Sequence, residues 1–570
     1  MKPNLSEALK SLNATVTPQS QPIPGKDMVA NHAGGFVFKL DAWKRLDRFL
    51  ILGSESSTYY VSGSQLTDEN VKCLLALLAE DGSRFVSVVA GMLASGRAPK
   101  PDHAIFALAL AASQGDDVTR KAALATVPTA LRTGTHLLKF AATANELRGW
   151  GRGLRKAVRN WFRARGNETL ALQLVKYQQR EGWSMRDLLR LSKPVPKDEV
   201  QGRLFGWTAR RGEAEWARTA SAPGHKALAF VWATEQAHRL RLSPSGPVSE
   251  EFGLKIDLRA KLEPPKPPRS PNAWLELIRK YRLPREALPT EALSKAEVWE
   301  ALLQEMPMTA MIRNLGVMSR VGLITPGSAA EKLVTARLTD AARLRAAKVH
   351  PIQVLSALRT YSAGRGYRSR SKWRVSQPVV TALDDAFELS FGAVEPAGTR
   401  QLLALDVSGS MGTGEIAGVP RLTPSAATAA LAVVAARTEP WTRIMGFGKT
   451  FRHLGITAKD RLPEAMEKVS GLTFGATDAS LPMTWATDRR LAVDTFVVLT
   501  DNETWAGSIQ PVQALESYRQ ASGINAKLIV VGMTSTGFTI ADPEDAGMLD
   551  VVGFDGATPV LMAKFAQGLI

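Results

Sequence analysis

The run DVSGSMG, from Asp406 to Gly412, restricts this chain more than any other stretch. It follows the apolar segment QLLAL, which reads as a buried strand, so Asp406, Ser408 and Ser410 sit on the loop at that strand's C-terminal end. One carboxylate and two hydroxyls alternating along an extended loop converge on a single hard divalent cation and leave coordination positions open. An all-oxygen donor set suits Mg²⁺ and excludes soft-metal sites. In an open α/β sheet this is also the end at which ligands bind. The competing reading of these residues is a Ser-rich turn that caps the following helix.

From about residue 400 the segments QLLALD, TRIMGF, TFVVLTD, AKLIVVGM and DVVGF alternate with helical stretches such as PSAATAALAVVAAR. That alternation predicts a mostly parallel sheet covered on both faces. Thr477, in the glycine-bearing loop GLTFGATD, and Asp501, just after TFVVLT, stand where such a fold would bring further donors. The set resembles the metal-ion-dependent adhesion site of von Willebrand factor A domains, DxSxS followed by a Thr and an Asp. The resemblance implies one divalent-cation site, for Mg²⁺, held by Asp406, Ser408, Ser410, Thr477 and Asp501. With Thr477 and Asp501 both in place, the metal site is favoured over the capping turn.

The rest of the chain is different in kind. At 570 residues it exceeds a single core, so several domains are expected. The longest apolar runs, such as AIFALALAA, fall short of the roughly 20 residues that span a bilayer. The N-terminal MKPNLSEALKSL lacks the apolar core of a secretory leader. The single cysteine, Cys73, allows no internal disulfide and no thiolate cluster. A cytoplasmic protein is the expectation.

Between about 35 and 370, NVKCLLALLAE, SRFVSVVAGMLASG, HAIFALALAASQG, VTRKAALATVPTALR and HLLKFAATANELR place apolar residues at three- and four-residue steps, with almost no strand signal. Successive helices of this length suit a helical-repeat array. The expected organisation is a flexible polar arm over 1–25, a helical region over 26–375 and the α/β domain over 376–570, with a Pro-rich loop at 242–273. The formal charge of +18 is divided unevenly. Residues 400–570 carry −3 and the remainder +21, which points to a polyanion partner for the helical region alone.

The charge concentrates between Arg148 and Arg211, with 16 Lys and Arg against 5 Asp and Glu. Arg148, Arg152, Arg155, Arg159 and Arg163 step by four, three, four and four residues, which is one helical stripe; Lys156 lies within the same stretch. Trp150, Leu154, Val158 and Trp161 take another face. The next segment adds Lys176, Gln179, Arg180, Arg186 and Arg190, with Ser184 and Asp187 spaced as a capping box. A charge run is usually a solvated face. Here acidic partners four residues away are largely missing, so the arginines repel one another unless an anion neutralises them. Nucleic acid is the favoured partner.

The segments FKLDAWKRLDRFLILGSESSTYYV (from Phe38), GWGRGLRKAV (from Gly149), KYQQREGWSMRDLLRLS (from Lys176), PMTAMIRNLG (from Pro307) and VHPIQVLSALRTY (from Val349) resemble the TROVE module of the Ro autoantigen family, in its order and with the DVSGSM domain behind it. The composition is closest to the bacterial branch. The resemblance implies a ring of HEAT-like helices closed by a von Willebrand factor A domain. It further implies a monomeric protein that holds Y-type small RNA on its outer basic surface and single-stranded 3′ ends of misfolded RNA in a central hole. In bacteria it implies an exoribonuclease partner, polynucleotide phosphorylase, in RNA decay and stress survival. Three positions depart from the family pattern: Met185 and Arg186 replace a His-Lys pair, and Gly153 replaces Ala.

Two other classes compete. A metal-dependent nuclease would need a second carboxylate set, whereas the motif supplies only Asp406 and Asp501, with Glu503 set back as support. The seven histidines form no HxH or HxxxH pair, and no GxxxxGK[ST] loop occurs, so an enzyme is not expected. An adhesion-type scaffold, with an incidental basic surface, is the second alternative.

Overall fold

The structure is a computed structural model that describes residues 16–53, 63–210, 225–240, 273–366, 370–391, 396–416, 422–470, 472, 475–553 and 557–570. The Pro-rich loop expected at 242–273 lies outside the described residues up to Ala273, where a helix begins.

The five apolar-periodic segments form the helices Gly63–Glu80, Gly82–Ser95, Asp102–Gln114, Asp117–Ala130 and Gly134–Arg148. Side chains of Asp81, Asp116 and Thr133 cap three of them by accepting from the backbone amide three residues on. Each helix packs on its near neighbours in the chain, through Arg152–Ala164, Asn167–Lys176 and Lys226–Arg239 to Ala296–Glu305, Met308–Arg320 and Pro351–Ser362. The series then returns to its start. His350 Nε2 lies 2.8 Å from the Arg97 carbonyl oxygen, and Gln353 Nε2 donates to the Pro99 carbonyl at 3.0 Å. The helical array therefore closes on itself.

The helix Gln377–Ser390, expected to open the second domain, touches both parts of the chain: its Asp384 accepts from the Leu462 amide at 3.1 Å and from Arg461 at 3.1 Å. It buries Val379, Val380, Leu383 and Phe387 against the helices Ala329–Leu338 and Pro351–Ser362. The α/β domain starts its sheet at Gln401.

That sheet has six strands in the order Met548–Val552, Lys527–Gly532, Thr495–Thr500, Gln401–Asp406, Thr442–Phe447 and Phe451–His453. All neighbours are parallel except the last pair. Counted within the domain, the order is third-second-first-fourth-fifth-sixth, the doubly wound arrangement whose direction reverses between the first and fourth strands. Both of those strands are buried along their whole length, which is why QLLALD and TFVVLT read as unbroken apolar runs.

The arm expected over 1–25 lies outside the described residues up to residue 15, and the residues that follow differ from expectation in two ways. From residue 16 the segment expected as a flexible arm is fastened to the second domain. Gln19 is buried and its Nε2 donates to Asp478 Oδ1 at 2.8 Å and to the Ile509 carbonyl at 3.0 Å. Its polarity, which suggested a solvated arm, supplies hydrogen bonds to a loop edge instead. The helical region also begins with strands. Met28–Ala30 and Phe36–Lys39 form an antiparallel hairpin, and the second of these pairs with Phe538–Thr539. At four residues the strand FVFK is too short to register against the helical signal around it. Beside it Arg48, fully buried on the helix Ala42–Leu52, donates to the Phe538 carbonyl at 3.0 Å and pairs with Asp550.

Candidate metal centre and nucleic-acid surface

Asp406 ends the first strand of the α/β sheet and Asp501 follows the fourth, its direct neighbour, so both lie at the point where the strand order reverses. Asp406, Ser408, Ser410, Thr477 and Asp501 are all buried. Asp406 Oδ1 accepts from the Ser408 amide at 2.9 Å, and Ser408 Oγ lies 2.9 Å from Ser410 Oγ. The Thr477 carbonyl accepts from the amides of Trp505 and Ala506, both at 3.1 Å, which pins its loop to the one that carries Asp501. Asp406, Ser408, Ser410 and Asp501 thus share one buried pocket of oxygens, and Thr477 lies on the loop bonded to the segment just after Asp501.

Burial raises the Asp406 carboxyl above its ordinary range. It raises Asp501 much further, reinforced by the charges of Asp406 and Glu503. Two buried carboxylates facing one another among hydroxyls are costly without a cation between them. The donor set is all oxygen, and it fits a hard divalent ion. Sequence reading missed Thr500, whose Oγ1 donates to Asp406 Oδ2 at 2.6 Å from the last position of the fourth strand. It also missed the anchoring of Glu503, which accepts from the Ala33 amide at 3.1 Å and lies 2.8 Å from His32 Nδ1. No sequence signal links residues 32 and 503.

The basic cluster is built on the helix Arg152–Ala164. Leu154, Ala157, Val158, Trp161 and Phe162 are buried, while Arg152, Arg155, Lys156 and Arg163 are exposed. Trp161 Nε1 donates to the Leu131 carbonyl at 2.6 Å, and the Arg165 guanidinium lies 3.5 Å from the Trp161 ring centre. Truncating a buried Trp of this kind costs about 3–5 kcal/mol. The stripe is not uniformly free. Arg148 donates to the Ser113 carbonyl at 2.9 Å, and Arg159, half-buried, donates to the Ser192 carbonyl at 3.0 Å. Arg159 therefore does not face solvent freely; it ties this helix to the next but one.

The helix it reaches, Met185–Ser192, opens with the expected capping box. The Asp187 amide donates to Ser184 Oγ at 3.1 Å and the Ser184 amide to Asp187 Oδ2 at 2.9 Å. Arg186 and Arg190 are exposed on it; Arg190 also donates to the Ala209 carbonyl at 3.3 Å. Gln179 and Arg180 are exposed on a short hairpin whose turn, Glu181-Gly182, has positive φ at both residues. Trp183 of that hairpin stacks on Trp150, with ring centres 5.5 Å apart, which holds the hairpin against the start of helix 152–164. Lys176 is half-buried, 5.5 Å from the centre of the Tyr177 ring. Met185 is buried against Gly134, so its position here is a core position and only Arg186 of the pair faces outward.

A closed helical array joined to a von Willebrand factor A-type domain, with an oxygen-donor site at the switch point of its sheet, defines the class. The chain matches the TROVE domain over residues 29–362 and the Ro60 vWA domain over residues 400–566. It belongs to the Ro60 family of TROVE-domain proteins. It is 41% identical over 566 residues to RNA-binding protein RO60 of Deinococcus radiodurans, covering 99% of this chain and 100% of that one. It is 36% identical over 589 residues to RNA-binding protein RO60 of Caenorhabditis elegans, covering 95% and 90% respectively. The crystal structure of the Deinococcus radiodurans RO (RSR) protein superposes with a TM-score of 0.66 at 40% identity, covering 93% of this chain and all of the other.

Proposed function

We propose that this chain is an RNA-binding protein that works in small ribonucleoproteins, without catalytic activity of its own. The observation that carries the reading is the face formed by Arg152, Arg155, Lys156 and Arg163 beside Arg186 and Arg190, on two helices spliced by Arg159. Cations on a rigid face with few acidic neighbours gain from a phosphate backbone, and affinity there rises as counterions are released. The names of both relatives as RNA-binding proteins support it. On this reading Y-type RNA lies on the outer basic face, and single-stranded 3′ ends of misfolded RNA enter the hole of the closed helical array. In the cytoplasm such a particle would deliver RNA to an exoribonuclease such as polynucleotide phosphorylase, in quality control and stress survival.

The α/β domain has a separate task. Asp406, Ser408, Ser410, Thr477 and Asp501 would hold one Mg²⁺, directly or through water, and the bound ion would supply an electrophilic centre for a partner's carboxylate. This second reading, a metal-dependent protein contact, rests on the pair of buried carboxylates and coexists with the first. Duplex RNA with and without a single-stranded 3′ tail, titrated over a salt series, tests the RNA reading. Tailed RNA binds more tightly and both affinities fall linearly with log salt; equal, salt-insensitive binding contradicts it.

A further inference from the structure

A cavity of about 590 Å³ opens where the helices Asp117–Ala130, Gly134–Arg148 and Arg152–Ala164 meet the end of Asp102–Gln114. Four of its lining residues are cationic: Arg120 and Lys121 from the first helix, Arg148 from the end of the second and Arg152 from the start of the third. None of the lining residues is acidic. Neither Arg120 nor Lys121 belongs to the Arg148–Arg190 run, and nothing in their local sequence marks them out.

The cations are held at the cavity by different means. Arg148 is fixed by the Ser113 carbonyl at 2.9 Å. Arg120 is fixed by the Gly115 carbonyl at 2.9 Å and by its pairing with the exposed Asp117. Lys121 and Arg152 are exposed. Gly151 and Gly153, also on the lining, leave backbone accessible at the rim, and an added Cβ at Gly153 would come within 2.8 Å of Leu124 Cδ1 on the opposite wall. The helix begun at Arg152 has Gly151 as its N-cap with no side-chain cap, so its first amides remain available to an acceptor.

Four like charges converging on one concavity repel one another in the free protein. A tetrahedral oxyanion relieves that repulsion and accepts hydrogen bonds from fork-shaped guanidinium groups. We propose that this cavity is a phosphate seat that holds one backbone phosphate of a bound RNA and sets the register of the RNA on the basic face. The proposal rests on the RNA-binding reading. It extends the contact surface to helix 117–130, and it makes Arg120 and Lys121 binding residues.

The test uses the full-length protein. Affinity for one structured RNA is measured over a salt series for wild type, Lys121→Ala and Arg152→Ala, with Lys459→Ala in the α/β domain as control. Each cavity variant lowers affinity several-fold and reduces the slope of log affinity against log salt by about one; the control changes neither. A second arm adds inorganic phosphate at constant ionic strength. It displaces RNA from wild type more than chloride does and loses that advantage in Lys121→Ala. Cavity variants with wild-type affinity and slope overturn the seat. If an Arg155→Glu/Lys156→Glu/Arg163→Glu variant still loses affinity in that case, the RNA reading stands without the seat; if it does not, both fall. Phosphate displacing RNA equally from wild type and Lys121→Ala also overturns the seat.

Discussion

His32 Nδ1 lies 2.8 Å from Glu503 Oε1, two residues beyond the candidate metal position Asp501. The contact joins the first described hairpin of the chain to the loop that completes the metal site, and it raises the His32 pKa through that hydrogen bond. Asn31, buried beside it, donates to the Thr504 carbonyl at 2.7 Å and accepts from the Ala33 and Gly35 amides. The N-terminal segment is thus part of the second domain's scaffold.

Removing that clasp has a defined cost. Asn31→Ala strands the Thr504 carbonyl and the Gly35 amide in a buried setting, where each unsatisfied group costs about 1–3 kcal/mol, while the Ala33 amide keeps Glu503. Urea unfolding followed by a probe in the α/β domain should show a lower midpoint for the variant. An unchanged midpoint would mean that the segment merely lies against the surface.

Arg48 supplies a second rivet. It is fully buried, paired with Asp550, and lies so close over Gly532 that a Cβ there would meet its Cζ at 2.9 Å. Arg48→Met leaves Asp550 buried without its partner, and breaking such a pair costs about 3–5 kcal/mol. The Arg48→Met/Asp550→Leu double variant should recover much of the loss. Calorimetry on the two variants checks the pattern, and additive losses would refute it.

Stability should also fall in mild acid through His136. Burial, aided chiefly by the charge of Arg132, pushes this imidazole down from 6.5 to about 4. A folded value below the unfolded one means that the unfolded chain takes up the proton first as pH falls. The stabilisation is therefore complete above about pH 6.5, is lost between 6.5 and 4, and is then constant. Its size is at most about 3 kcal/mol. His136→Gln should flatten that part of the stability profile, and parallel profiles for variant and wild type would rule the mechanism out.

Much of this was legible in the sequence where a pattern is local. The helices from Gly63 to Arg148, the capping box at Ser184 and Asp187, and the strand that delivers Asp406 each follow from spacing within about a dozen residues. Asp501 could be located because its strand, TFVVLT, is buried on both faces and reads as one apolar run. Contacts that join distant segments left no such trace. Gln19 reads as solvent-facing because its partners, Asp478 and Ile509, lie more than 450 residues away. Arg159 reads as one more stripe member because the carbonyl it meets belongs to the next helix but one. Arg120 and Lys121 gain meaning only from the cavity that four helices line.

The central claim is a division of labour, with RNA on the helical array and a divalent ion on the α/β domain. The most direct measurement takes Mg²⁺ binding and structured-RNA affinity on the same two proteins, Asp406→Ala and Arg155→Glu/Lys156→Glu/Arg163→Glu. Asp406→Ala should lose the ion and keep wild-type RNA affinity, while the triple variant should keep the ion and lose RNA affinity with a shallower salt dependence. RNA affinity that collapses in folded Asp406→Ala, or survives intact in the triple variant, would contradict the account.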